Sequence, residues 1–297
     1  MDDTAVRLTG LTRRFGPVRA VDGIDLTIAP GSTVALLGPN GAGKTTTIAL
    51  LLGLTPPDTG TVTLFGRSPV EAVRAGRVGA MLQDAGFPAG ATVRDVIELA
   101  RALYPRPLDT ARVLALAGLT DRADRRLDRL SGGESQRARF AFAMAGGPDL
   151  LVLDEPGAAL DVAARQVFWA AIRRYAADGH TVLFSTHHLH EADEYADRVV
   201  MLAGGRVVAD APPARLRTLA GGRTVAFDLA DGPVTGLDLL PGVRSVRVDA
   251  GRVSLTTDDA DATVLALATG RGFRGLSVTD AGLEAAFLAL TAPEGEH

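Results

Sequence analysis

Thr33-Val34-Ala35-Leu36-Leu37-Gly38-Pro39-Asn40-Gly41-Ala42-Gly43-Lys44-Thr45-Thr46 is the stretch on which the fold turns. Thr33 to Leu37 reads as a short apolar strand, Gly38 to Gly43 as a glycine-rich turn, and Lys44 to about Leu52 as a helix. Strand, glycine loop and helix in that order, with lysine and threonine closing the loop, match a phosphate-binding loop. Small residues let successive backbone N–H groups turn inward on phosphate oxygens, and the helix that follows adds the positive end of its dipole. Gly38, Pro39, Asn40, Gly41, Ala42 and Gly43 are therefore read as the cradle. Lys44, the only lysine in the chain, is expected to reach the β- and γ-phosphates of ATP. Thr45 is placed to coordinate Mg²⁺ through its hydroxyl, and Thr46 to bond a neighbouring phosphate oxygen.

Working outward, Val6 to Ile28 alternates in short apolar runs and reads as antiparallel strands. Thr61 to Phe65 and Arg77 to Leu82 read as further strands, and helical periodicity runs through Thr92 to Leu103, Asp109 to Ala117 and Glu134 to Ala145. Apolar strands return at Leu150 to Leu153 and Thr181 to Phe184 around a helix from Asp161 to about Ala177, which implies parallel strands with helical crossovers. Gly221-Gly222 reads as a linker. Beyond it Val225, Phe227 and Leu229 alternate, Val246 and Val248 can face Val253 and Leu255 across a turn at Asp249-Ala250-Gly251, and helices are expected near Asp261 to Ala268 and Ala281 to Leu290. The expected fold class is α/β: a P-loop NTPase core over residues 1–220 with an N-terminal antiparallel β subdomain and a helical insert at about 91–147, then a small α+β domain over 221–297.

Composition sets outer limits. Of 297 residues, 46% are apolar and 22% charged, the balance of an ordinary globular protein. The absence of cysteine excludes disulfides, thiolate metal sites and cysteine nucleophiles. A net charge of −4 supplies no overall attraction to phosphate backbones, so nucleic acid is not expected as a partner. Met1-Asp2-Asp3 is acidic with no apolar stretch behind it, so no secretory signal is expected. The longest apolar runs, around Thr47 to Leu54 and Leu150 to Leu153, fall short of the roughly 20 residues that cross a bilayer.

Two further stretches carry chemistry. Leu150-Leu151-Val152-Leu153-Asp154-Glu155 ends an apolar strand in two acids, at the sheet edge where ligands bind. Asp154 is expected to hold Mg²⁺, and Glu155, which points elsewhere, to polarise the attacking water as general base. Leu130-Ser131-Gly132-Gly133-Glu134-Ser135-Gln136 opens a helix with exposed N–H groups, and reads either as a second anion site or as a plain capping arrangement of Ser131 with Glu134.

With these motifs in order, residues 4 to 220 resemble the nucleotide-binding subunits of the ATP-binding cassette (ABC) transporters. The resemblance implies that Ser131, Gly132, Gly133 and Glu134 are the signature that binds the γ-phosphate of ATP held by the opposite subunit. It further implies that Gln83 senses Mg²⁺ and contacts the membrane partner, that His187 in Ser185-Thr186-His187 contacts the γ-phosphate, and that Asp161 communicates across the dimer. Phe15 takes the place of the aromatic residue that stacks on adenine. The implied assembly is two ATP-binding subunits, as a homodimer, with a separate transmembrane permease, at the cytoplasmic face of the membrane. The family pattern between Glu155 and Asp161 is usually Pro-Thr-Ser-Gly-Leu; here it is Pro156-Gly157-Ala158-Ala159-Leu160, so two hydroxyls are lost and a glycine has moved. Leu283 to Thr291 is similar to the closing helix of the daunorubicin-resistance type of bacterial exporter ATPase, with Leu283, Phe287 and Leu290 on one face.

A soluble ABC ATPase working on nucleic acid or ribosomes is the competing function. Translation-type members carry two cassettes, and chromosome types place long coiled coils between phosphate loop and signature; here there is one cassette and Ser131 follows Lys44 closely. Glu155 and His187 argue against a catalytically dead scaffold.

Overall fold

Why the first unit builds as it does is plainest in its central strands, whose residues are mostly apolar and buried on both faces, the pattern of parallel strands covered by helices. The computed structural model describes residues 4–83, 86–158, 160–219, 222–229, 235–249, 251–270, 272–280, 283, 284, 286 and 287. In chain order the first unit runs β1 (Val6–Phe15), β2 (Val18–Ile28), β3 (Thr33–Leu37), α1 (Lys44–Leu51), β4 (Thr59–Leu64), α2 (Pro69–Arg74), β5 (Val78–Met81), α3 (Val93–Leu103) and α4 (Thr110–Ala117). It continues with α5 (Gly132–Met144), β6 (Leu150–Asp154), α6 (Val162–Ala177), β7 (Thr181–Thr186), α7 (Leu189–Tyr195), β8 (Arg198–Ala203) and β9 (Arg206–Ala211). α8 (Pro213–Leu219), β10 (Arg223–Leu229), β11 (Val243–Asp249), β12 (Arg252–Thr257), α9 (Ala260–Gly270) and β13 (Phe273–Asp280) follow.

The main sheet has the order β5-β6-β7-β3-β8-β9, and the β5–β6, β6–β7, β7–β3 and β3–β8 pairs are parallel. Register decides what meets at its C-terminal edge. Leu37 lies opposite Thr186 and Asp154 opposite Ser185, so the residues that follow, Gly38, Glu155 and His187, emerge side by side. β1 pairs antiparallel with β2 and β4 in a second sheet of order β2-β1-β4, the expected N-terminal subdomain. The helices α3, α4 and α5 form the expected insert between β5 and β6. On β7, Phe184 meets Trp169 of α6 at 4.7 Å between ring centroids, and Trp169 stacks on Tyr195 of α7 at 4.4 Å. These large buried rings fasten α6 and α7 to the strand that ends at Thr186.

The chain divides into two compact units between Asp210 and Ala211, earlier than the division expected at 220. The double proline explains the difference: Pro212 disfavours helical backbone at Ala211, Pro213 opens α8, and that helix belongs to the second unit. Within that unit an antiparallel sheet, β11-β12-β10-β13, buries Val225, Phe227, Val253 and Leu255 with Leu267 of α9. Val246 faces Leu255 and Val248 faces Val253, as the alternation predicts. Leu283 and Ala286 are buried. Leu290 and most of the expected closing helix, together with Asp84, Ala85, Ala159, Gly221 and Ala250, lie outside the described residues.

Candidate nucleotide-binding site

The loop from Gly38 to Gly43 leaves β3 and enters α1 through Gly43, whose φ of 100° is left-handed. A side chain is barred there twice over, by that conformation and by the Ala20 carbonyl, which a Cβ would meet at 2.3 Å. β2 therefore runs directly against the loop, and Phe15, paired with Val18 at the start of β2, stands at that end of the β subdomain. Its ring is 50% exposed with the Arg13 guanidinium 5.0 Å from the centroid, so an aromatic surface is available to a planar base.

Lys44 is 4% exposed, and its Nζ donates to the carbonyls of Gly38 at 2.7 Å and Pro39 at 3.1 Å. The ammonium also lies 3.5 Å from Glu155 Oε1, and that same oxygen lies 3.3 Å from His187 Nδ1. The strand register thus brings together three side chains far apart in sequence. Glu155 adopts φ 48°, a conformation a non-glycine residue rarely holds without support from its surroundings. That support comes from Ser185, whose Oγ accepts from the Glu155 N–H at 2.8 Å while its own hydroxyl donates to Asp154 Oδ1 at 2.5 Å. One serine thus fixes the Asp154 carboxylate and the Glu155 backbone together.

Asp154, Thr45 and Gln83 line one cleft of about 360 Å³. A carboxylate, a hydroxyl and an amide carbonyl form an all-oxygen donor set, which suits Mg²⁺. The Gln83 carbonyl accepts from Arg139 Nη1 of α5 at 3.2 Å, which anchors the backbone of this loop. Gln83, Asp154 and Glu155 also line a neighbouring cleft of about 420 Å³ with Gly132 and Gln136. The roles of Ser185, Arg139 and Gln136 are not legible in the sequence; only their spatial partners reveal them.

At the start of α5 the capping box is formed. Ser131 Oγ accepts from the Glu134 N–H at 3.3 Å, Glu134 Oε2 accepts from the Ser131 N–H at 2.9 Å, and Arg122 Nε donates to Glu134 Oε1 at 2.7 Å. Ser131 and Gly132 remain exposed, with open space where a Gly132 side chain would stand. Asp161 caps α6, accepting from the Ala164 N–H at 2.7 Å. The Ser131 N–H, and then Arg122, hold the Glu134 carboxyl down at about 2. A depressed carboxylate stabilises the fold in full above its ordinary range and loses that contribution as pH falls. Glu134→Gln is therefore expected to flatten the drop in melting temperature between about pH 5 and pH 2. Thermal unfolding of both proteins across that range checks this.

A parallel sheet with a phosphate loop after β3 and paired acids at the end of β6 defines a P-loop nucleoside triphosphatase. Residues 21–158 match the ABC transporter family model. Over 99% of both chains the protein is 33% identical to Nod factor export ATP-binding protein I of Paraburkholderia xenovorans (strain LB400). It is 38% identical to daunorubicin resistance ATP-binding protein DrrA2 of Streptomyces coeruleorubidus, over 78% of this chain and 74% of that one. A solved ATP-binding subunit of an ABC transporter superposes with a TM-score of 0.65 at 26% identity, covering 72% of this chain and 92% of that chain. The chain belongs to the ABC transporter family, as an ATP-hydrolysing subunit. Nothing in these likenesses supports the nucleic-acid or ribosome alternative. Among the described residues no helix is long and apolar enough to cross a membrane.

Proposed function

We propose that two copies of this chain bind MgATP between them at the cytoplasmic face of a bacterial membrane and drive export through a separate membrane-spanning subunit. The observation that carries this reading is the position of Glu155 Oε1, 3.5 Å from Lys44 Nζ and 3.3 Å from His187 Nδ1. Lys44 and the loop N–H groups hold the β- and γ-phosphates, Glu155 takes the proton of the attacking water, and His187 orients the terminal phosphate. Thr45, Gln83 and Asp154 would hold Mg²⁺, which supplies positive charge against the phosphates. Phe15 stacks on adenine. The exposed Ser131–Gly132 end of α5 meets the γ-phosphate bound by the other copy, which supports a shared site because capping alone does not require an open approach. Asp161 communicates between copies and Gln83 with the membrane subunit, and residues 211–297 form an accessory domain outside the nucleotide site.

The test is recovery of the chain from detergent-solubilised membranes. A membrane-spanning protein is expected to co-elute, and adding it back to the purified chain is expected to stimulate phosphate release. Co-elution of nucleic acid, with no stimulation by any membrane protein, would contradict the export reading.

A further inference from the structure

Outside the nucleotide cluster, three elements of the first unit meet on one buried carboxylate. Glu191 of α7 is 1% exposed. Its Oε2 accepts from the Thr186 hydroxyl at 2.7 Å, and that hydroxyl oxygen accepts in turn from the His188 N–H at 3.0 Å. A single hydroxyl therefore ties the backbone on both sides of His187. Glu191 Oε1 lies 3.5 Å from Arg165 Nε of α6, and Arg165 Nη2 donates to the Leu160 carbonyl at 3.0 Å. Withdrawing a carboxylate from water is costly unless cations and donors answer it; here the Thr186 hydroxyl answers Oε2, while Oε1 has the Arg165 guanidinium at ion-pair distance without a hydrogen bond.

The loop between Glu155 and α6 closes on the same group. A Cβ on Gly157 would stand 2.1 Å from Glu191 Oε1 and 2.9 Å from its Cδ. Gly157 does not lie in the left-handed region, so backbone conformation does not require glycine here; space does. The carboxylate is not free to swing away, because Thr186 and Arg165 hold it. On the other side of the loop, the Pro156 carbonyl accepts from Gln136 Nε2 of α5 at 3.1 Å. The departure from the family pattern at Gly157 is thus one half of a fitted pair, with Glu191 as the other half.

We infer that Glu191 is a positioning residue for ATP hydrolysis: its buried carboxylate sets His187 against Glu155 by way of Thr186, and seats the Gly157 loop on the same strand end. The inference rests on the role proposed above for His187. Thr186→Val keeps the side-chain shape and removes the hydroxyl; Thr186→Ser keeps the hydroxyl. In the full chain, Thr186→Val is expected to lower kcat by about 10- to 100-fold, the scale of a misplaced reacting group, while KM and ATP affinity stay within about twofold. Thr186→Ser is expected to retain the wild-type kcat. Gly157→Thr is expected to slow turnover in the same manner, and to add little once Glu191→Ala is present, because the two changes break one contact.

Wild-type kcat in Thr186→Val, or a loss of ATP affinity that accounts for the fall in kcat, overturns the inference. So does a Thr186→Ser variant as slow as Thr186→Val. Should Glu191→Ala fail to fold, the two Thr186 variants still decide the matter. His187→Ala, measured alongside, separates the layers: slow His187→Ala with unimpaired Thr186→Val removes Glu191 alone, whereas full turnover in His187→Ala removes the role of His187 and this inference with it.

Discussion

Replacing Lys44 with alanine is expected to lower ATP turnover by about 10² or more, the scale for removing one preorganised charge stabiliser. The ammonium is buried, held by two loop carbonyls at 2.7 and 3.1 Å, and aimed toward Glu155. Charge in such a setting acts through a lower effective dielectric than water and needs no reorganisation when the phosphates develop charge. The chain has no second lysine to take its place. Arginine is not expected to rescue, because its planar fork does not fit a slot framed by two carbonyls for a compact ammonium. Steady-state phosphate release by Lys44→Ala and Lys44→Arg checks both points, and near-normal turnover in the alanine variant would sink the assignment of the loop.

Glu155→Gln is expected to remove turnover by about 10² to 10⁴, the contribution of a positioned general base, while ATP binding persists. The geometry makes this a clean substitution. The Glu155 N–H is anchored on Ser185 Oγ at 2.8 Å, so the strained backbone at φ 48° does not depend on the side-chain charge. Glutamine keeps the shape and cannot accept the proton of the attacking water. Nucleotide affinity measured beside phosphate release separates the two effects, and loss of binding in step with turnover would show that Glu155 holds ATP rather than activates water.

The phosphate loop and the Asp154-Glu155 pair were legible in the sequence because their chemistry is local. Strand, turn and helix follow within a few residues, and the spacing itself carries the geometry. The convergence of Lys44, Glu155 and His187 was legible only through family resemblance. Its physical cause is the parallel register of β3, β6 and β7, which no local pattern encodes. The role of Ser185 is not legible locally because its partner Asp154 lies 31 residues away, nor is that of Arg139, because Gln83 lies 56 residues away. The boundary between units was read at Gly221-Gly222, where the glycines promise freedom. The chain instead divides just before Pro212-Pro213, where backbone restriction separates β9 from α8. β13 passed unread because Arg274, Gly275 and Ser277 interrupt its apolar alternation, and pairing with β10 makes it a strand.

The central claim is that each ATP is shared by two copies, with Ser131 of one completing the site built on Lys44 of the other. Light scattering on purified Glu155→Gln, with and without MgATP, tests it most directly. The account predicts the mass of one chain without nucleotide and twice that mass with MgATP, since ATP that is bound and not hydrolysed holds the pair closed. A variant that binds MgATP and keeps the mass of a single chain would contradict the shared site.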